Sequence, residues 1–234
     1  MADTKAHQRY RSKVQMQKNG LGKIFPGVTT IIGANLGWNG FILLKWTREK
    51  ALSGEDPDAI RDDSADSGTC CHKMVEYYIR RALGEDVGDP DLSDFDANQI
   101  KSAENGFRAF LKWEPTQDFR YVASEMEVVS EEWLFGGTAD IITVDAKGRI
   151  HLIDIKTSGG IYDEMKIQTA AYSKAYEEQE GVQVYQNHIV RLDKEDEEGS
   201  YEHHVISRKE IDWGWSVFVL LRELHEKHKR KELK

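Results

Sequence analysis

The sequence holds only two cysteines in 234 residues, the adjacent pair Cys70 and Cys71. Neighbours in the chain cannot build a disulfide framework, and two thiols are too few for a cysteine-only zinc site or an iron–sulfur cluster. No apolar run approaches the roughly 20 residues that a membrane-crossing helix needs. The first residues are polar and basic, without the apolar stretch of a signal peptide. These absences predict a protein of the reducing cytoplasm with no membrane association. A generally basic surface is also missing, since the net charge is −9. The charge is unevenly spread, however. Residues 1–23 and 222–234 together take twelve of the 32 basic and four of the 41 acidic residues, leaving the middle at −17. An acidic middle suits cations, and basic ends suit phosphates.

What remains is the composition of a globular protein: 39% hydrophobic and 31% charged residues, enough to bury a core without staples. The expected organisation is a basic flexible arm over 1–23, one domain over 24–222 and, over 223–234, the basic end of a final helix that opens at Ser207 or Asp212 and frays into a tail. Apolar spacing near 3.6 predicts helices over 38–52, 68–83 and 94–113. In the first of these, Phe41 and Leu44 are expected on a different face from Lys45 or Arg48. The acid-rich stretch 53–67 reads as mostly loop, with a short helical turn open to Asp58–Asp63. Period 2 then takes over, predicting strands over 121–129, 134–144 and 149–157, a helix over 163–180, and strands over 182–192 and 201–206. A helical part (24–115) followed by a sheet and helix (120–206) defines an α/β fold, a mixed central β-sheet flanked by helices.

The chemistry concentrates between Gly136 and Tyr172. On a strand, residues two apart share a face, so Asp154 and Lys156 point together while Ile155 points into packing. Asp140 closes the Gly-Gly-Thr-Ala-Asp segment of the preceding strand and can lie beside Asp154. Two carboxylates so close repel unless a cation joins them, and Mg2+ or Mn2+ takes such oxygen ligands. A metal there would favour hydrolysis of a phosphodiester, with Lys156 balancing charge on the phosphorus. Gln168 and Tyr172 stand one helical turn apart on the next helix, placed to grip a nucleic-acid backbone or stack on a base. His203–His204 shows no partner pattern. His225-Glu-x-His228 misses the zinc-protease spacing by one residue and reads as polar tail.

Gly137-Thr-Ala-Asp140, Asp154-Ile-Lys156 fourteen residues on, and Gln168-x-x-x-Tyr172 together resemble the PD-(D/E)XK nuclease superfamily. They are most similar to its RecB-like exonuclease branch, which includes phage recombination nucleases and the mitochondrial genome maintenance exonuclease. The resemblance spans about 24–192 and implies a restriction-endonuclease-like core. It implies that Asp140, Asp154 and the Ile155 carbonyl ligate metal, that Lys156 is catalytic, and that Gln168 and Tyr172 contact nucleic acid. A histidine after Gly-Thr on an upstream helix joins the metal in that branch, matching Gly68-Thr-Cys-Cys-His72. So does an acid on the strand before Gly-Thr-x-Asp, where Glu125 and Glu127 both qualify. The expected activity is Mg2+- or Mn2+-dependent exonucleolytic hydrolysis of DNA, at duplex ends or on single strands, in recombination, repair or phage DNA metabolism. A recombination or replication partner protein belongs to that picture. The alternatives are an endonuclease of the same fold and a non-catalytic nucleic-acid-binding protein on a retired one. Relatives with an iron–sulfur cluster need four cysteines, so no cluster is expected here.

Overall fold

The computed structural model describes residues 10–14 and 22–230. Strands β1 (Tyr10–Arg11) and β2 (Ile24–Phe25) pair antiparallel. Helices α1 (Val28–Asn35), α2 (Gly40–Leu52), α3 (Pro57–Ala82) and α4 (Ala97–Trp113) follow. Then come β3 (Phe119–Ser130), β4 (Phe135–Asp145) and β5 (Ile150–Lys156), the helix α5 (Asp163–Glu180), strands β6 (Val184–Leu192) and β7 (Tyr201–Ile206), and α6 (Arg208–Arg230). The five-stranded sheet runs β3-β4-β5-β6-β7, antiparallel except for the β5–β6 pair. The parallel pair is joined through α5, as a parallel connection requires.

The sheet is buried on both faces. In β5, Leu152 packs into the core beneath α1, α5 and α6, whereas Ile153 and Ile155 enter the core beneath α3 and α4. In β6, Ile189 joins the first core and Val190 and Leu192 the second. Period-2 alternation therefore supplies both cores from the same strands. The two cysteines lie wholly buried in the second core, and burial pushes their thiols up to about 11 and about 12. Among the described residues no helix is long and apolar enough to cross a membrane.

Three expectations change. The stretch 53–67 is loop only as far as Asp56, because α3 starts at Pro57. Asp56 caps it by accepting from the Asp58 and Ala59 N–H groups, and proline fits the first turn of a helix. Its acids stay solvated while tertiary contacts hold the helix. The buried Lys194 ammonium donates to the Ser64 carbonyl (2.6 Å) and to Ser67 Oγ (2.8 Å), and the Lys194 carbonyl accepts from Asn105 of α4 (3.1 Å). Second, the arm is not wholly loose. Tyr10 is buried against Gly136, and its hydroxyl lies 3.2 Å from Thr138 Oγ1; residues 1–9 and 15–21 of the arm lie outside the described residues. Third, α6 runs into the predicted tail as far as Arg230, and residues 231–234 lie outside the described residues. Arg222 donates to the Trp133 carbonyl (3.0 Å), and buried His225 faces Asn35 of α1 (3.4 Å).

His203 does find partners. His151, His188 and His203 form a chain across β5, β6 and β7, with ring nitrogens 3.0 and 2.8 Å apart. His151 Nε2 stands 3.5 Å from Asp145 Oδ2. Three neutral rings suit the two ring-to-ring contacts, with His188 and His203 each donating from Nε2 to the Nδ1 of the ring before it. Burial, then the neighbouring rings His203 and His151, push His188 down to about 3. Burial also lowers His151 and His203. Groups held below their unfolded value near 6.5 bind more protons when unfolded. Their stabilisation is therefore complete above about pH 6.5 and is lost as pH falls toward 3, at roughly 1.4 kcal/mol per pH unit for each ring that must charge. Urea midpoints should fall from pH 7 to pH 4.5 more steeply for wild type than for His188→Gln. Equal slopes would contradict this account.

Candidate active site

The backbone pairing of β4 with β5 runs from Val144–Ile150 to Ile141–Ile153. Asp140 and Asp154 are the next residues, where the two strands part. The unpaired Ile155 N–H instead donates to Asp140 Oδ2 at 2.9 Å. A carboxylate thus takes the ladder position that β4 vacates, which keeps a buried N–H satisfied. Asp154 is 1% exposed, and its Oδ2 lies 2.6 Å from Lys156 Nζ. Both acids and the lysine line a cavity of about 590 Å3, with Glu125, His72, Gln168 and Tyr172 also in its wall.

His72 arrives from α3, its Nδ1 3.7 Å from Asp140 Oδ2. Gly68 allows that approach. It sits inside α3 rather than at its start, and a Cβ there would fall 2.6 Å from Thr157 Oγ1 at the end of β5. The Gly-Thr-x-x-His spacing therefore brings the helix against the strand one turn before the histidine.

Geometry separates Glu125 from Glu127. Glu127 is exposed and does not line the cavity. Glu125 does, and its backbone takes the left-handed region at φ 50. It falls between the Ser124–Ile141 and Met126–Ala139 pairs, opposite Asp140. That conformation costs a non-glycine residue about 1–3 kcal/mol and persists where the surroundings impose it. One ligand atom each from His72, Glu125 and Asp140 lies within 4.8 Å of the others. Asp154 is not in that group; its carboxylate is turned to Lys156.

Tyr172 lies differently from an open stacking platform. It is 5% exposed, with its ring against Gly137, where a Cβ would fall 2.2 Å from the ring. Gln168 Nε2 donates to its hydroxyl at 2.7 Å. Burial raises its pKa well above the ordinary value, so the hydroxyl stays protonated. Both glycines of the Gly-Gly-Thr motif thus make room for tyrosines, Gly136 for Tyr10 and Gly137 for Tyr172. Tyr10 and Thr138 also line the cavity. Thr138 could have been found from its place on the face of Asp140. No local signal announces Tyr10, 128 residues before its partner.

The site thus gathers an imidazole, two carboxylates close together and an acid and lysine ion-paired on one strand, a donor set that suits a divalent cation. The family model of the PD-(D/E)XK nuclease superfamily matches residues 43–231. The chain belongs to that superfamily. Among solved structures it is similar to a protein from Eubacterium rectale provisionally described as an exonuclease, at 13% identity and TM-score 0.48, covering 72% of this chain and 69% of that one. It is also similar to an alkaline exonuclease from Laribacter hongkongensis, at 18% identity and TM-score 0.32, covering 68% and 82%. No curated protein matches the sequence.

Proposed function

We propose that the protein is a Mg2+- or Mn2+-dependent deoxyribonuclease that shortens DNA from its ends, acting in the cytoplasm in recombination, repair or phage DNA metabolism. The observation that carries this reading is the convergence of His72, Glu125 and Asp140 from three separate elements to within 4.8 Å. One nitrogen and several oxygen donors suit either ion. An ion held there would supply Lewis-acid activation of the phosphodiester and of the attacking water. Asp154, from its place beside Lys156, and the Ile155 carbonyl would add further oxygen donors. Lys156 keeps its ammonium beside Asp154 and faces the charge that develops on the phosphate. Gln168 and the protonated Tyr172 hydroxyl hold the strand by its backbone. The two aspartates are buried at the base of the cavity, a depth that a strand end reaches more readily than an uninterrupted duplex.

The test compares linear, nicked and closed-circular DNA, with an RNA strand in parallel, in Mg2+, Mn2+ or chelator. Linear DNA should be degraded in metal while closed circles and RNA persist. Degradation in chelator would refute the metal mechanism, and cutting of closed circles would replace the exonuclease with an endonuclease. Strand binding without any cutting would favour the retired fold.

A further inference from the structure

Helix α2 buries none of its residues. Phe41 is 78% and Leu44 66% exposed, with Ile42, Leu43 and Leu52 also open and Trp38 half exposed just ahead of the helix. Single exposed apolar residues are ordinary, but a contiguous set rimmed by charge marks an interaction surface. The helical period places Phe41, Leu44, Lys45, Arg48 and Leu52 on one stripe, not on separate faces as the sequence first suggests. That stripe holds two cations and no carboxylate, in a stretch of chain whose net charge is −17. Lys45 also reaches Glu49 at 3.8 Å, with both side chains exposed.

The position of α2 is equally informative. It joins α1 and α3, and Thr29 of the one and Ser64 of the other line the cavity of the metal-ligand cluster. Asn39, which precedes α2, donates to Glu164. Glu164, Gln168 and Thr29 line a neighbouring recess of about 220 Å3, and Gln168 and Thr29 line the main cavity as well. The surface is therefore continuous from the cluster to the start of α2.

We propose that α2 is the docking surface for the DNA strand that enters the cavity, an inference that rests on the nuclease reading above. Bases lie against Trp38, Phe41 and Leu44, and phosphates meet Lys45 and Arg48. Aromatic side chains such as Trp38 and Phe41 beside cations form the general pattern for holding a single strand without reading its sequence. Continuity with the cavity favours a strand over a protein, which would cover the way in.

The experiment uses the full chain and the surface variants Phe41→Ser/Leu44→Ser and Lys45→Glu/Arg48→Glu. Fluorescence anisotropy of a long labelled single strand is read in chelator, and cleavage of an oligonucleotide too short to span both sites is read in Mn2+. Each variant should bind the long strand about tenfold or more weakly, and the charge variant should flatten the salt dependence. Both should cut the short oligonucleotide at the wild-type rate. Unchanged binding of the long strand would overturn the proposal. So would sedimentation showing a wild-type dimer that the Phe41→Ser/Leu44→Ser variant breaks, since α2 would then face a second copy. If binding falls in the variants while wild type cuts neither substrate, the docking surface stands and the nuclease reading fails.

Discussion

Asp140→Asn should lower the rate of DNA cutting more than about a hundredfold, beyond the usual cost of losing a mere outer partner of a metal ligand. The expectation follows from two contacts made by one side chain. Its carboxylate belongs to the His72–Glu125–Asp140 group, and its Oδ2 accepts the Ile155 N–H at 2.9 Å. Asparagine can still accept that N–H with its carbonyl oxygen, so the parting of β4 from β5 should survive. What it loses is the negative charge. Removing one of two neighbouring acids also relieves repulsion in the metal-free protein. In chelator, Asp140→Asn should therefore unfold at or above the wild-type temperature. Mn2+ should raise the melting temperature of wild type and leave the variant unmoved, because only a ligand that binds the folded state stabilises it. A variant that melts well below wild type in chelator would show that Asp140 is structural first.

Lys156→Ala should produce two effects that can be pulled apart. Its ammonium stands 2.6 Å from a carboxylate that is 1% exposed. Breaking a buried pair costs about 3–5 kcal/mol; here Lys156 keeps 18% of its side chain in solvent, so roughly 2 kcal/mol is expected. The second effect is on rate, a fall of about a hundredfold or more if the ammonium faces charge that develops in the transition state. Adding Asp154→Asn should return most of the stability, since the charge left behind is removed, and none of the activity. That double-mutant cycle separates the pair's part in folding from its part in catalysis. Wild-type cutting by Lys156→Ala would leave the pair a structural one.

The parts of the site that were readable from sequence are those whose geometry is local. Asp154, Ile155 and Lys156 occupy one strand, and a period of two sends the Ile155 side chain into the second core while the acid and the lysine share the opposite face. Gln168 and Tyr172 share a helix face and do bond to each other. The Glu125 and Glu127 alternatives could not be separated that way, because a regular strand treats them alike. The left-handed backbone at Glu125 is what distinguishes them, and a glutamate carries no signal for it. The acidic stretch before Ser67 looked like loop because its helix is held by a lysine 130 residues away in sequence. Tyr10 and the His151–His188–His203 chain were hidden for the same reason: each partner lies on another element. Phe41 and Arg48 share a helix face by spacing alone, so that stripe is legible in the sequence.

The most direct measurement is a Mn2+ titration of wild type, Glu125→Gln and Asp140→Asn by calorimetry, set beside the Mn2+ dependence of cutting a linear DNA. Wild type should bind the ion at the concentrations that switch on cutting, and each variant should lose both together. Mn2+ binding unchanged in both variants, or cutting that proceeds without bound metal, would contradict a metal centre built on His72, Glu125 and Asp140.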